Sequence, residues 1–395
     1  MDFALTHDQE ALRDETRRFA ERELGRDLVE RDRRGAIEPA DWRSDWTNCA
    51  DFGVLAATTP AEFGGRGLDV VSTIIMLEAL GRGGADNGLT LGLNGQLWAV
   101  IEPIKAFGTD AQKKTYLPKL ASGEWVGAHG MTEYETGSDA AGARATAVRD
   151  GDAYVLNGRK AYVGMAPNCD LAIVFASTSP ERGSWGLSAF IVEATTPGFE
   201  RSAPKQKMGL RTAPLGDIEL HDCRVSDAAR LGPEGAGATI FQHAMEWERS
   251  FIFASHVGAM HRQLDATVQF AASREVFGRP IDQYQSVSNR LANMKLRLET
   301  AQLLMYKAAW LKDRGRPAVM EAALAKLHLS ESFVASSMDA VRIHGGKGYM
   351  AEDGIERDLR DAVGGVIYSG TSDIQRNIIA QLLKDAANEL DAGTL

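Results

Sequence analysis

The sequence predicts an α+β protein with a helical segment over residues 1–125, a β segment over 126–234 and a helical bundle over 235–395. Three observations carry this. Apolar residues recur at helical spacing through the first segment, and near Trp125 the texture changes to short strand-type runs separated by turns. From Gly235 the chain returns to long helical stretches with short connections.

The first helix is announced by Thr6-His7-Asp8-Gln9-Glu10, in which Gln9 stands at capping-box spacing from Thr6. Leu12, Phe19, Ala20 and Leu24 then form its apolar stripe. Pro60 to Gly67 is a glycine-rich connector; no Gly-Lys-Ser/Thr follows, so it does not read as a phosphate loop. Val71 to Leu80 and Leu91 to Phe107 are helical and mostly apolar, and Ala111-Gln112-Lys113-Lys114 opens a short polar helix.

In the β segment, Thr146 to Asp150 and Ala153 to Leu156 flank a Gly151-Asp152 turn. Leu171 to Ala176 and Leu187 to Val192 are buried-strand runs, while Ile218 to Val225 alternates apolar and polar. In the bundle, one long helix is expected from about Ala236 to Val276, ending at Phe277-Gly278-Arg279-Pro280. Asp282 is expected to cap the next, whose stripe is Val287, Leu291, Met294, Leu298 and Ala301, continuing to about Lys312. A third helix is expected from about Pro317 to Ile343, stopped by His344-Gly345-Gly346-Lys347-Gly348, with two shorter helices after it. Long helices with short connections imply a four-helix-type bundle.

Composition narrows the partners. Apolar content is 44%, charged content 25% and net charge −10, with the two signs interspersed. No basic stripe offers itself to nucleic acid, and no apolar run reaches the roughly 18–20 residues of a membrane span. The opening Met-Asp-Phe-Ala-Leu lacks a signal-peptide plan. Cys49, Cys169 and Cys223 lie far apart without metal-like spacing. They argue against a disulfide frame or a metal site and fit a reducing cytoplasm.

Chemistry enters at Met245-Glu246-Trp247-Glu248-Arg249-Ser250. Phe241, Ala244, Met245, Phe251 and Ile252 mark the buried face, and Glu248 falls on the same stripe. A carboxylate there is expensive. Two readings stay open: Glu248 lies at the edge of a rotated helix, paired to an arginine, or it is a working acid whose burial raises its pKa toward neutrality.

Six motifs in order bear on that choice. They are Pro60…Gly65; Met131-Thr132-Glu133-…-Gly137-Ser138-Asp139; Lys207-Met208-Gly209 with Arg211; and Arg274-…-Phe277-Gly278-Arg279-Pro280 with Gln285. His344-Gly345-Gly346-Lys347-Gly348-Tyr349 and Tyr368-Ser369-Gly370-Thr371-Ser372-Asp373-Ile374-Gln375-Arg376 complete the set. Along nearly its whole length the chain resembles the acyl-CoA dehydrogenase family.

The resemblance implies bound FAD. Met131 and Thr132 would meet the polar edge of the flavin and Tyr162 would pack on its ring, although by itself Tyr162 reads as a core residue at a strand end. Ser138 belongs to the signature that lines both cofactor and substrate. Gly164 stands where a hydroxyl residue is usual. Arg274 would fork onto pyrophosphate, Phe277 would lie near the adenine side and Gln285 would add a polar contact. Arg342, Gly345 and Gly346 would approach from a neighbouring subunit, and Thr371 and Asp373 would meet the cofactor at a helix start. A homotetramer assembled through the C-terminal bundle is implied.

The family's reaction removes a proton from the α-carbon of an acyl thioester and a hydride from its β-carbon, and the hydride goes to the flavin. In most members the base directly follows the tyrosine of the last motif, where this chain has Ser369. Isovaleryl-CoA and long-chain enzymes place the base on the first bundle helix instead, and that position is Glu248 here. Such relocation also occurs in enzymes resembling prolyl-carrier-protein dehydrogenases. Glu246 points to another face. Arg249, Tyr368, Gly370 and Ser138 are the candidate substrate contacts, and Ser369 is expected to matter little. The acyl group would ride on CoA or on a carrier protein, with electrons leaving to an external acceptor such as an electron-transfer flavoprotein. An oxidase or flavin monooxygenase on the same fold is the alternative; monooxygenase relatives generally lack both carboxylates, so Glu248 speaks against that branch. A non-catalytic scaffold is a third reading, weakened by the retained flavin contacts.

Overall fold

The structure, a computed structural model, describes residues 4–34 and 39–391. Its N-terminal helices are α1 (His7–Glu23), α2 (Leu28–Arg34), α3 (Pro39–Asp51), α4 (Val70–Arg82), α5 (Asn87–Gly95), α6 (Glu102–Phe107) and α7 (Asp110–Ala121). The capping box is formed: Thr6 Oγ1 accepts from the Gln9 N–H, and the Gln9 side chain accepts from the Thr6 N–H. Between α5 and α6 the chain winds as a π-helix over Gln96–Ile101. Pro103 has no N–H to return to the preceding turn, and such a position is where a wider turn relieves the ladder. The Gln96 side chain, buried in that turn, donates to Leu120 O and accepts from the Gly127 N–H, both at 2.8 Å. It thereby fastens the helical layer to the first strand.

The strands are β1 (Gly127–Gly130), β2 (Thr146–Asp150), β3 (Ala153–Gly164), β4 (Leu171–Ser177), β5 (Leu187–Glu193), β6 (Phe199–Arg201), β7 (Leu215–Ser226) and β8 (Arg230–Leu231). They form one sheet in the order β6-β7-β3-β2-β4-β5-β8, with β1 parallel to β4. Every residue of β4 is buried because both faces of the sheet are covered. Leu171, Ile173 and Phe175 join the core shared with the helices, whereas Ala172, Val174 and Ala176 join a second core with Tyr154, Phe190 and Val192.

The C-terminal part differs from expectation in three places. The single helix expected to about Val276 is two helices, α8 (Gly237–Phe251) and α9 (Ala254–Ser273), followed by a hairpin of β9 (Glu275–Val276) and β10 (Arg279–Pro280). Phe251, Ile252 and Phe253 are all buried. The helix is interrupted at Phe253, whose backbone (φ −94°, ψ 5°) lies outside the helical region. The hairpin turn places both Phe277 (φ 51°) and Gly278 (φ 79°) in the left-handed region, as a two-residue turn of the favoured kind requires. Asp282 does not cap α10 (Gln285–Lys312); it lies in a short 3-10 turn, and the cap position is Tyr284, which makes no side-chain cap bond. The remaining helices are α11 (Val319–His344), α12 (Gly346–Tyr349), α13 (Ile355–Gly365) and α14 (Ser372–Asp391), so three shorter helices rather than two follow α11 among the described residues. α11 is the centre of the bundle and packs against α8, α9, α10, α13 and α14. No helix among the described residues is long and apolar enough to cross a membrane.

α4 and α9 cross where each carries a glycine. A Cβ on Gly81 would stand 1.8 Å from Ser255 O, and one on Gly258 1.9 Å from Glu78 O. Gly258→Ala is expected to destabilise the fold by about 1–3 kcal/mol through overpacking. A lower urea midpoint at unchanged slope would report this; a midpoint equal to wild type would show that the helices part freely.

Candidate active site

α8 ends on its last turn with Glu248 and Arg249, and after the break at Ile252 and Phe253 α9 begins at Ala254. The segment between α13 and α14 returns the chain to the same place with Tyr368, Ser369 and Gly370. Ser369 Oγ donates a short hydrogen bond to Glu248 Oε1. This is where the two lines of sequence reasoning meet in space: the helix carboxylate touches the position the usual base would hold. Among the described residues Glu248 forms no ion pair within salt-bridge distance, so the reading of an edge residue paired to an arginine is set aside.

By surface area Glu248 is only partly buried, yet its carboxyl lies deep in protein. Burial raises its pKa; the Ser369 hydroxyl, then the Arg249 and Lys326 charges, pull it back only in part. The C-terminal end of α8 adds partial negative charge and acts in the same sense as burial. A carboxyl so placed holds a proton more readily than a surface glutamate, which suits a group that must accept one.

Around this pair the frame is rigid. Arg249 Nε donates to Ser369 O at 3.4 Å, and Gln375 Nε2 donates to Gly370 O at 3.0 Å. Ser369 (φ 56°) and Gly370 (φ 84°) are both left-handed, and a side chain at Gly370 would meet the Gln375 amide at 2.6 Å. Tyr368 stacks on Phe253 with centroids 5.5 Å apart. Lys326 on α11 is fully buried and donates to Gly365 O at 2.9 Å; burial and the Arg249 charge press its pKa down to about 8. Lys326 and Gln375 were missed from the sequence. Lys326 left a signal, a lysine inside the apolar run Ala322-Ala323-Leu324-Ala325-Lys326-Leu327; Gln375 stands in the last motif, but nothing there gave it a role.

Glu246 is structural. Its Oε1 accepts from Lys312 Nζ and from the Ala318 N–H, pinning α8 to the α10–α11 connection. Trp247 stacks on Trp98 with centroids 5.8 Å apart and belongs to the aromatic core rather than to the Glu248 pair.

The residues assigned to the cofactor fall in separate groups. Thr132 O accepts from the Ala161 N–H at 2.8 Å, which sets Met131 and Thr132 beside Tyr162. Tyr162 (φ 55°) is thrown outward by a break in the β3–β7 register and is 55% exposed, so it is not a core tyrosine. Its N–H is held by the buried Asp217, which also takes Tyr134, Arg159 and Lys205. Ser138 is exposed in the loop after Thr136. A cleft of about 420 Å³ opens beside Tyr134, lined by Glu133, Arg144 and Arg159; none of these touches the Glu248–Ser369 pair. Arg274, Phe277 and Gln285 sit on the hairpin and the start of α10, all exposed, Phe277 at 94%. Arg342 is exposed and pairs with Asp339 at 3.7 Å, and Gly345 and Gly346 face open space. Thr371 Oγ1 caps α14 by accepting from the Ile374 N–H, while Asp373 is an exposed acid paired with Arg376. No hydrogen bond or ion pair among the described residues joins the β-sheet group, the hairpin group and the Gly345 turn.

These residues fit a flavin dinucleotide. An outward aromatic, an exposed guanidinium and a bare Gly-Gly backbone suit a flat ring, a pyrophosphate and close approach in turn. Beside Thr371, Ser372 Oγ and Gln375 Oε1 are buried without a protein partner, which leaves polar groups to be satisfied there.

Comparison with known proteins identifies the family. Models of the acyl-CoA dehydrogenase N-terminal, middle and C-terminal domains match residues 6–124, 128–223 and 235–384. An L-prolyl-[peptidyl-carrier protein] dehydrogenase of Pseudomonas fluorescens is 45% identical over 340 residues, 86% of this chain and 90% of that protein. The crystal structure of the prolyl acyl carrier protein oxidase AnaB superposes with a TM-score of 0.94 at 43% identity, covering 96% of this chain and 100% of that one. The structure of PigA with FAD and proline gives 0.93 at 37% identity, covering 97% and 99%. Three domains in the same order and a near-complete superposition place the chain in the acyl-CoA dehydrogenase family.

Proposed function

We propose that the protein is an FAD-dependent dehydrogenase of an acyl thioester, that Glu248 is its base, and that the acyl group is a prolyl residue carried on a carrier protein. The observation that carries the base assignment is the enclosed Glu248 carboxyl, its pKa raised by burial, touching Ser369. The prolyl and carrier-protein assignment rests on the relatives, since both the Pseudomonas fluorescens enzyme and AnaB bear such names.

Met131, Thr132, Ser138, Tyr162, Thr371 and Asp373 would hold the ring of FAD, and Arg274, Phe277 and Gln285 its pyrophosphate and adenine side. Arg342, Gly345 and Gly346 would complete the site from a neighbouring subunit of a homotetramer. The exposure of Phe277 and the open space at the two glycines suit that reading. Bound FAD supplies the two-electron acceptor that takes the β-hydride. Glu248 takes the α-proton as the Cα–H bond breaks, and the electrons of that bond become the new double bond. Arg249 and Lys326 place positive charge behind the carboxylate, which limits how far burial raises its pKa. Tyr368 and Gly370 would line the acyl side and Ser138 the approach of the arm. The buried, unpaired thiols Cys49, Cys169 and Cys223 suit a cytoplasmic enzyme.

The test is anaerobic flavin bleaching across a panel of acyl-CoA and acyl-carrier-protein thioesters. Bleaching by L-prolyl carrier protein, at a rate at least tenfold above the CoA thioesters, is the expected result. Bleaching confined to acyl-CoA would sink the carrier assignment, and no bleaching by any thioester would sink the activity. The oxidase reading is favoured by the name of AnaB. Hydrogen peroxide released stoichiometrically in air would select it, whereas reduction that persists in air until an electron-transfer flavoprotein is added would select the dehydrogenase.

A further inference from the structure

Ser369 occupies the place from which the usual base is missing, and its hydroxyl is committed to Glu248. Three features show that the contact is built. Ser369 keeps a left-handed backbone (φ 56°), a conformation that a residue with a side chain rarely adopts without support. Its carbonyl is held by Arg249 Nε and Gln375 Nε2, both at 3.4 Å. Gly370 follows at φ 84° and packs against the same Gln375 amide. The loop is thus tied to α8 through Arg249 and to α14 through Gln375, and the hydroxyl is delivered to one carboxylate oxygen. Oε2 of Glu248 has no hydrogen-bond partner among the described residues.

Resting on the assignment of Glu248 as base, we infer that Ser369 is a positioning residue: its hydroxyl fixes one oxygen of Glu248 so that the other is presented to the substrate α-carbon. A serine is chemically suited to this. It donates one hydrogen bond to the ionised form and cannot itself take the α-proton, so the two oxygens acquire different roles. Losing the donor leaves a partly buried carboxylate that turns freely and ionises less readily, because a hydrogen bond to the charged form favours that form. The groups facing Glu248 are Arg249 on its own helix, Lys326 on α11, and Tyr368 with Ser369 on the α13–α14 segment. Of these, only Ser369 makes a hydrogen bond to the carboxylate.

The experiment is the pH dependence of anaerobic flavin bleaching by L-prolyl carrier protein in wild type, Ser369→Ala and Ser369→Gly. Both variants delete the hydroxyl, but only glycine also relieves the left-handed backbone, so a folding defect particular to alanine is recognised. The expected result is an acidic limb displaced upward by about one pH unit or more in both variants, a tenfold change in proton affinity. The plateau rate is expected to fall about tenfold or more from lost orientation. An acidic limb unchanged in both variants overturns the inference. Glu248→Gln run beside them separates the two claims. If Glu248→Gln bleaches at the wild-type rate the base assignment fails, whereas if it is inert while the Ser369 variants keep the wild-type limb, only the Ser369 role fails.

Discussion

Glu248→Gln is expected to bind FAD as wild type does and to lose anaerobic flavin bleaching by a factor of about 10² to 10⁴, the range a positioned general base contributes. The amide matches the carboxylate in shape and can still accept from Ser369 Oγ, so the loop geometry has no reason to change. What it lacks is a lone pair basic enough to take the α-proton. Flavin content measured against protein, together with the visible spectrum, separates this outcome from loss of cofactor. Bleaching at the wild-type rate would refute the assignment. Glu246→Gln is the matched control: its carboxylate is engaged by Lys312 and Ala318, so it bears on packing and not on proton transfer.

Lys160→Met is expected to destabilise the fold by about 3–5 kcal/mol, the usual consequence of removing one member of a buried ion pair. Lys160 is fully buried and Glu133 is 4% exposed, and their charged atoms are 2.7 Å apart. Glu133 belongs to the Met131-Thr132-Glu133 signature, and its work is structural: its carboxylate also accepts from the Arg144 and Ala145 N–H groups, closing the loop around Ser138. Lys160 reaches back to Met131 O at 3.3 Å. Burial by itself raises the Glu133 pKa, but Lys160 and the two backbone donors more than offset it and hold the carboxyl below its usual range. A carboxyl depressed on folding contributes stability above its unfolded pKa, and that contribution is lost as pH falls through the folded value. Without Lys160 the sign reverses, because burial is no longer opposed and protonation of Glu133 relieves the variant. The gap in urea midpoint between wild type and Lys160→Met should therefore narrow from pH 7 to pH 5. A gap that widens on acidification, or a variant as stable as wild type at pH 7, would overturn this account.

Some of the molecule could be read directly from the chain. The Thr6 box, the continuous apolar run Leu171 to Ala176 and the stripe of α10 follow from cap spacing, an unbroken apolar stretch and a period of 3.6, which are properties of neighbours along the chain. The break between α8 and α9 was hidden for a complementary reason. An apolar run of Phe251, Ile252 and Phe253 extends a helical pattern perfectly well, and only the folded backbone shows the interruption at Phe253. Phe277-Gly278 reads as a helix stop, but Glu275 and Val276 read as helix, so the two-stranded hairpin around that turn is not foreseen.

The same division holds for the active site. Glu248 stood out as an acid on an apolar stripe, but the residues by themselves left an edge position open, and it was the resemblance that offered it as the base. Ser369 was legible as a missing base but not as a partner. The two lie 121 residues apart, and no pattern along the chain links a helix end to a loop that far away. Lys326, Gln375 and Asp217 act through burial and through bonds to backbone carbonyls or N–H groups, which are made only when distant elements meet. The sequence by itself determined the helical, β, helical order and singled out the carboxylate on an apolar stripe, because periodicity and residue chemistry are local. The tertiary structure alone decided which hydroxyl, which cations and which left-handed loop surround that carboxylate, because a pKa and an orientation are set by whatever folding brings within a few ångströms.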